Sequence, residues 1–524
     1  VAALVTGCAL AAGLSCADAA AQTAAPTAGQ GRILLVLPFD NRSGQPSLEW
    51  VREAAADLLS RRFASAGFAP MSRADRMYAL DHLGFPQRFQ PSRASALKLA
   101  QTLDADSIVV GSFLTDGADV VAEARLVDVP ALHMSQPVTA RGPIAKMADI
   151  FDSLAWKLTR QLDPNFAVAE ETFMAAGRDI RLDAYEQYIR GVMEPDQAER
   201  LRHLQKAVEL NASFGSGWMA LGREQYASQQ YEQAAAAFAK VDRNDPEWLE
   251  AGFYRGLALM FSGNYPGAEK SFDAVARILP LAEVTNNQAV AISRQGGDAT
   301  ELFIKAAAAD PASADYHFNL AVSLNRHGQQ AGAMNELAQC LKLRPNDDEA
   351  QTLAGYWKQP LANGAVPDPL ERIVRTFDAA AFRQAAQMID QVDSARLAAL
   401  RPSERAAKLS DQAAGFLYRG LLLEAERRYR DAVAADPNSA EPHIGLAQVC
   451  ERSGDVEAAR REAHAANDRK PSASAWLVLA RLDRNAGKIS DASREVFEAL
   501  RLDSANTAAQ QLQLQILAQT GPRK

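Results

Sequence analysis

Pro246 and Pro280 stand 34 residues apart, and the same interval separates Gly222 from Gly256, Ala234 from Ala268 and Phe238 from Phe272. Residue types that recur in register at one period mark an internal repeat. Ala234 and Phe238 lie four apart, as do Ala268 and Phe272, which puts each pair on one face of a helix. Each proline sits where a helix has to stop, since its ring removes a donor and clashes with the preceding turn. The unit is therefore a helical hairpin. A lone hairpin cannot bury its apolar face, so the units must stack, and stacking creates a continuous core and an extended concave surface.

Trp218, Leu221 and Gly222, followed by Ala234, Phe238 and Pro246, resemble the tetratricopeptide repeat. The next unit has Gly256, the turn glycine Gly263, Ala268, Phe272 and Pro280. A shorter one follows with Ala289, Gly296-Gly297, Ala299, Phe303 and Pro311, then another with Leu320, Gly328, Ala333, Leu337, Cys340 and Pro345. Residues 185–210 read as a truncated opening hairpin and 347–358 as a closing helix, so a first block spans 182–358. Pro360, Gly364, Pro367 and Pro369 make 358–370 a linker, and 370–399 has helical spacing without the repeat signature. Linker and irregular helices together fill 359–405. The repeat resumes with Ala413, Gly420, Ala425, Tyr429 and Pro437, then Leu446, Gly454, Ala459, Ala466 and Pro471, then Trp476, Leu479, Gly487, Ala492 and Ala499. This second block spans 406–520 and ends in a polar-faced capping helix over 505–519.

Ahead of the repeats, 32–165 reads as a mixed α/β domain with an antiparallel meander. Residues 33–41 form a short apolar run ending in a turn, as a buried strand does. A helix follows over 47–66, with Ser47 as its N-cap and Glu49 and Glu53 in its first turns. Residues 68–72 read as a strand and 94–103 as a helix, and 107–114 and 120–129 bracket the hairpin signal Asp116-Gly117. An edge strand over 134–140 and a helix over 144–162 complete the domain. Val36-Leu-Pro-Phe-Asp-Asn-Arg-Ser-Gly44, Leu99-Ala-x-x-Leu-Asp-Ala-Asp-Ser-Ile-Val-Val-Gly-Ser112 and Ala124-Arg-Leu-Val-Asp128 resemble the TolB N-terminal-like module, related to the flagellar FlgO and curli CsgG types. After Asp128 the chain departs from that pattern, with Val129-Pro-Ala-Leu-His-Met in place of the family's Thr-Gly and Leu-Trp signature. The resemblance implies a role in assembly and contacts.

Residues 1–21 are apolar and alanine-rich, with no charge before Asp18, and read as a secretory leader with small-residue cleavage sites at 17–19 or 19–21. Val5-Thr-Gly-Cys8 also resembles a bacterial lipobox, which would put a lipid on Cys8, and an uncleaved anchor is a third alternative. Residues 22–31 read as a flexible tether. The expected location is the periplasm or the outer membrane, with membrane contact only through this leader or a lipid. The net charge of −8 and a pI near 5.6 argue against nucleic acid as a partner. Cys340 and Cys450 fall on interior repeat positions and read as packing residues.

The pattern suggests no catalytic, cofactor or metal site. The seven histidines are scattered, none in a His-Glu-x-x-His arrangement, and His317 and His443 occupy equivalent repeat positions, as structural residues would. Neither a Gly-x-Ser-x-Gly elbow nor a phosphate-binding loop occurs. The tetratricopeptide resemblance instead implies a concave groove lined by Ser216, Met219, Arg223 and Tyr226, then Glu250, Phe253, Leu257 and Met260, then Asp315, Phe318, Val322 and Asn325. Met219, Phe253, Met260 and Phe318 would form an adaptable apolar surface, partly open to water, for a protein or peptide partner. Packing against neighbouring helices is the competing reading of the same residues. Asn287 and Asn319 share the position at which carboxylate-clamp repeats carry Asn, but the lysines that complete such a clamp are missing. The expectation is a multidomain chain, an N-terminal mixed α/β domain followed by an all-α superhelix in two blocks, acting as a non-catalytic exported scaffold. An enzyme or signalling subunit with its activity in the first domain, and a cytoplasmic repeat regulator, stay open as alternatives.

Overall fold

The computed structural model describes residues 32–86, 92–175, 181–358 and 368–520, the side chains of 379–387 and 520 excepted. The leader and tether, with Cys8, lie outside the described residues. The first region is a mixed sheet with helices on both faces. Its strands are β1 (Ile33–Val36), β2 (Asp40–Asn41), β3 (Ala69–Pro70), β4 (Ser107–Asp116), β5 (Asp119–Asp128), β6 (His133–Met134) and β7 (Val138–Pro143), in the order β3-β1-β4-β5-β6. β2 pairs with β4 and β7 with β5. β3, β1 and β4 run parallel, and β4 and β5 form an antiparallel hairpin turned at Gly117, whose φ is 64°.

Alternation along the first strand decides the two faces. Leu34 and Val36 join a core under α1 (Val51–Ser65) and α4 (Met147–Leu162). Leu35 and Leu37 join the opposite one under α2 (Arg73–His82) and α3 (Arg93–Thr102). Two sequence expectations are corrected. Ser47 is not a helix cap: Pro46 opens a short 3-10 turn over Pro46–Leu48, and α1 begins only after the buried Trp50. The single edge strand over 134–140 is split into β6 and β7. Residues 73–82, to which no element is assigned from sequence, form α2, opened by a reciprocal capping box between Ser72 and Asp75.

The chain then runs through α5 (Glu170–Ala175) into paired helices. They are α6 (Leu182–Met193) with α7 (Gln197–Leu210), α8 (Gly215–Ala227) with α9 (Tyr231–Phe238), α10 (Trp248–Phe261) with α11 (Tyr265–Ala276), α12 (Ala282–Ser293) with α13 (Thr300–Ala309), and α14 (Ala314–Arg326) with α15 (Gln330–Leu343). α16 (Asp348–Lys358) closes the first block. After α17 (Ala379–Ala398) come α18 (Pro402–Tyr418) with α19 (Leu422–Ala435), α20 (Glu441–Ser453) with α21 (Val456–Arg469), α22 (Ala473–Asn485) with α23 (Ile489–Leu502), and α24 (Thr507–Thr520). The expected helix over 370–399 is corrected: α17 starts at Ala379, and 368–378 forms neither helix nor strand, with a bend at Thr376.

The recurring residues do the packing their register implied. A Cβ built on Gly222 would come 2.7 Å from the Phe238 ring, and one on Gly256 2.5 Å from the Phe272 ring, so the paired helices touch through the bare backbone of one. Ala234, Ala268, Cys340 and Cys450 are buried. His317 and His443 each place Nδ1 2.6 Å from a glutamate of the following helix, Glu336 and Glu462. Most hairpin turns pass through a left-handed residue, as at Gly263, Gly328 and Gly454; Gln229, with φ 60°, fills that place in the first of them.

The α/β region is braced by both blocks. From α6, Tyr185 Oη donates to Asp57 of α1 at 2.6 Å, and Arg61 of α1 donates to Tyr188 Oη at 3.2 Å. From the second block, Leu423 of α19 enters the core beneath the sheet, and Glu426 accepts the Ala169 N–H at 3.1 Å. The second block thus returns to the start of the chain.

Two substitutions test the register. Ala268→Leu should overpack the α10–α11 hairpin and cost about 1–3 kcal/mol. Gln229→Gly should be neutral or gain up to about 1 kcal/mol, because it relieves a left-handed side chain. Urea unfolding of the full chain reads both, and an unchanged midpoint for Ala268→Leu would count against the assigned packing.

Candidate functional site

The concave face of the first block contains residues 368–378 of the same chain. Three equivalent pairs on, or at the end of, the first helices of successive hairpins build the site: Glu283 and Asp315, Asn287 and Asn319, Arg294 and Arg326, each 32 positions apart, with Arg294 directly after α12. Stacking brings α12 and α14 side by side, so each pair stands as a short ladder along the groove.

The asparagines grip main chain. Asn319 donates from Nδ2 to the Arg372 carbonyl at 2.8 Å and accepts the Arg372 N–H at 2.6 Å. Asn287 does the same to Val374, at 2.7 and 3.0 Å. Residues two apart in an extended chain present their amides to the same side, which is why alternate residues are held. Asn286 donates to the Arg372 carbonyl at 3.2 Å and accepts from Asn319 at 2.8 Å, linking the two clamps. The segment runs against the order of the helices, from α14 toward α10.

Charge fixes its register. Glu371 is buried, ion-paired to Arg294 at 3.1 Å and to Arg326, and accepts from the Ser293 hydroxyl. Arg372 meets Asp347 at 2.6 and 2.8 Å, Asp315 at 2.9 Å and Glu349 at 2.9 Å, with its guanidinium 3.7 Å from the centroid of the Phe318 ring. Burial lowers the Arg372 pKa, but hydrogen bonds to the three carboxylates outweigh it and the net shift is upward. Hydrogen bonds from Arg372 hold Asp347 below the usual carboxylate range. Burial would raise Asp315, yet bonds from Arg344 and Arg372 leave it lowered as well. Farther along, Ile373, Val374 and Phe377 pack on the repeat core, Arg375 lies over Phe261, and Phe377 stands 5.5 Å from Phe253.

The groove residues named from sequence divide accordingly. Phe253, Leu257, Met260, Phe318 and Val322 are buried in the core of the first block, with Phe377 and Arg372 over Phe253 and Phe318. The expectation that these side chains stand partly open to water is corrected: all five are buried in the repeat core, and the chain's own segment lies over Phe253 and Phe318. Met219 and Ser216 are buried between hairpins, Met219 beside Phe238. Tyr226 is half-buried among Tyr231, Tyr254 and Phe261. Arg223 is exposed and paired with Glu250, and Asn325 is half-buried. Sequence reasoning singled out Asn287, Asn319 and Asp315 but missed Asn286, Arg294, Arg326 and Asp347. The signal available was the 32-residue spacing of the arginines, which only the register of the shorter repeat makes visible.

Acid should loosen the segment in a narrow window. Asp315 and Asp347 are lowered in the folded chain, so their contribution is present above the ordinary carboxylate pKa and is lost as pH falls through the depressed values. The stability difference between the wild type and Arg372→Ala should be flat from pH 8 to about pH 5 and shrink below about pH 4. Chemical unfolding across that range measures it, and a difference that varies between pH 5 and 8 would contradict the assigned carboxylates.

Models of the tetratricopeptide repeat match residues 219–283 and 293–348 of the first block and 416–482 of the second. No curated protein matches the chain. Among solved structures, YrrB, described as a TPR protein with an unusual peptide-binding site, is 16% identical over 38% of this chain and 97% of its own, with a TM-score of 0.29. MamA from Desulfovibrio magneticus RS-1 is 19% identical over 35% of this chain and 99% of its own, with a TM-score of 0.29. The LpoB C-terminal domain from Escherichia coli is 20% identical over 22% of this chain and 87% of its own, with a TM-score of 0.20. The repeat models and the paired helices agree, and the chain is a tetratricopeptide repeat protein whose repeats follow an N-terminal mixed α/β sheet region.

Proposed function

We propose that this chain is a non-catalytic scaffold, exported to the bacterial cell envelope, whose first repeat block holds a partner polypeptide. The observation that carries the reading is the pair of asparagine clamps: the concave face meets an extended backbone through side chains matched to its N–H and C=O groups. Repeats of this type form interaction surfaces by stacking, and the two blocks here share one support, the α/β region. That region is similar to the TolB N-terminal-like module in the residues given above, in keeping with a part in assembly. Export rests on the apolar leader over 1–21 and its small-residue cleavage sites. Arg223, Tyr226 and Asn325 extend the contact surface beyond the stretch covered by 368–378.

Fractionation of cells expressing the native gene should place the protein in the envelope, and a soluble cytoplasmic pool retaining Val1 would overturn export. Cys8→Ala separates the routes: membrane association that survives it excludes lipidation at Cys8. For the scaffold itself, Arg223→Ala should weaken cross-linking to a partner by about 1 kcal/mol in apparent affinity while stability stays within about 0.5 kcal/mol. A variant that melts early yet captures its partner normally would place Arg223 outside the contact surface.

A further inference from the structure

We propose that the groove of the first block recognises an extended peptide segment of the form acidic–Arg–aliphatic–aliphatic, and that residues 371–374 are an internal occupant which such a partner segment displaces. The inference rests on the scaffold reading and gives its partner a chemistry.

Three observations point this way. The first is that groove and segment meet as ligand and receptor do. On the groove's side the contacts come from side chains, while the segment offers the N–H and C=O of Arg372 and Val374. The groove helices satisfy their own backbone bonds internally, so another extended chain can take the same clamps without their refolding.

The second is a match of charge in both signs and in order. Two arginines from neighbouring hairpins close on Glu371, and three carboxylates close on the next residue, Arg372. Such adjacent pockets of opposite sign discriminate strongly, because the exchanged order would bury each charge against its like. The two aliphatic residues that follow, Ile373 and Val374, pack on the repeat core.

The third is one-sided burial. Leu370, Arg375 and Thr376 are exposed while Glu371 is buried and Arg372, Ile373 and Val374 are half-buried, so one side of the segment faces the groove and the other faces solvent. A tethered segment competes at a local concentration on the order of mM, so a partner binds with its affinity reduced by the fraction of open groove.

The test uses the full chain and a fluorescein-labelled synthetic peptide with the sequence of residues 368–378, read by fluorescence anisotropy. The comparison is between the wild type and the double variant Glu371→Ala, Arg372→Ala, each checked for folding by circular dichroism. The variant should bind the peptide at least tenfold more tightly than the wild type. Adding Asn319→Ala to the variant should weaken binding at least tenfold, and a peptide with its Glu and first Arg exchanged should bind at least tenfold more weakly. A folded variant that does not bind, that binds no better than the wild type, or that accepts the exchanged peptide equally well overturns the proposal.

Amide hydrogen exchange of 371–377 in the wild type, with and without saturating peptide, decides the matter if the variant fails to fold. Faster exchange of the chain's own segment supports displacement, and unchanged protection makes the segment a fixed structural element. A wild type that sediments as a dimer, with the double variant a monomer, would mean that the segment is exchanged between copies, and that also overturns it. Partner cross-linking in the envelope is an independent readout: a partner captured while the peptide fails leaves the scaffold standing and removes only the assigned chemistry.

Discussion

Everything in the repeat region depends on how closely two helices of a hairpin can approach. Gly222 and Gly256 leave no side chain between their helix and the Phe238 and Phe272 rings, and Ala234 and Ala268 are buried among them. That contact sets the spacing of the two helices within a hairpin. Stacking of the hairpins in turn places equivalent residues of successive first helices beside one another. Glu283 with Asp315, Asn287 with Asn319 and Arg294 with Arg326 become ladders only because the packing holds α12 and α14 in register. The functional face is thus a by-product of the core: a slip of one residue would carry the asparagines off the groove.

The ladders explain why a charged segment can be held where apolar residues dominate. Burying Glu371 and Arg372 exacts a desolvation cost of several kcal/mol per ion in general, and close, multiply bonded partners are needed to offset it. Glu371 has two arginines and a serine; Arg372 has three carboxylates and the Phe318 face. Such pairs contribute little net stability compared with an apolar contact of the same size. Their effect is on selectivity, since they admit one order of charges and one register of the backbone.

The α/β region adds a constraint of its own. It receives Tyr185 and Tyr188 from the first block and Leu423 and Glu426 from the second, so the two blocks are tied through it as well as along the chain. The segment 368–378 and α17 lie between the two blocks in the chain. Movement of one block relative to the other would be opposed by buried contacts at both ends.

Local periodicity determined the hairpins, their glycine turns, the two blocks and the β4–β5 hairpin, because a helix or a tight turn is specified by residues within about one repeat of each other. The resemblance to the tetratricopeptide family, and not the period, singled out Asn287 and Asn319 and the groove-facing positions. Local reasoning failed at 368–378, where apolar spacing suggested a helix. The partners that hold this stretch extended lie 53 residues away at Asn319, 87 at Asn287 and 95 at Glu283, and no local pattern encodes them. It failed in the same way for the burial of Phe253 and Phe318, whose exposure depends on what lies over them. The sequence by itself settled which segments pair and which faces turn inward; the tertiary structure alone decided what fills the concave face, because that outcome is fixed by hydrogen bonds and ion pairs between segments that only the stacked repeats bring together.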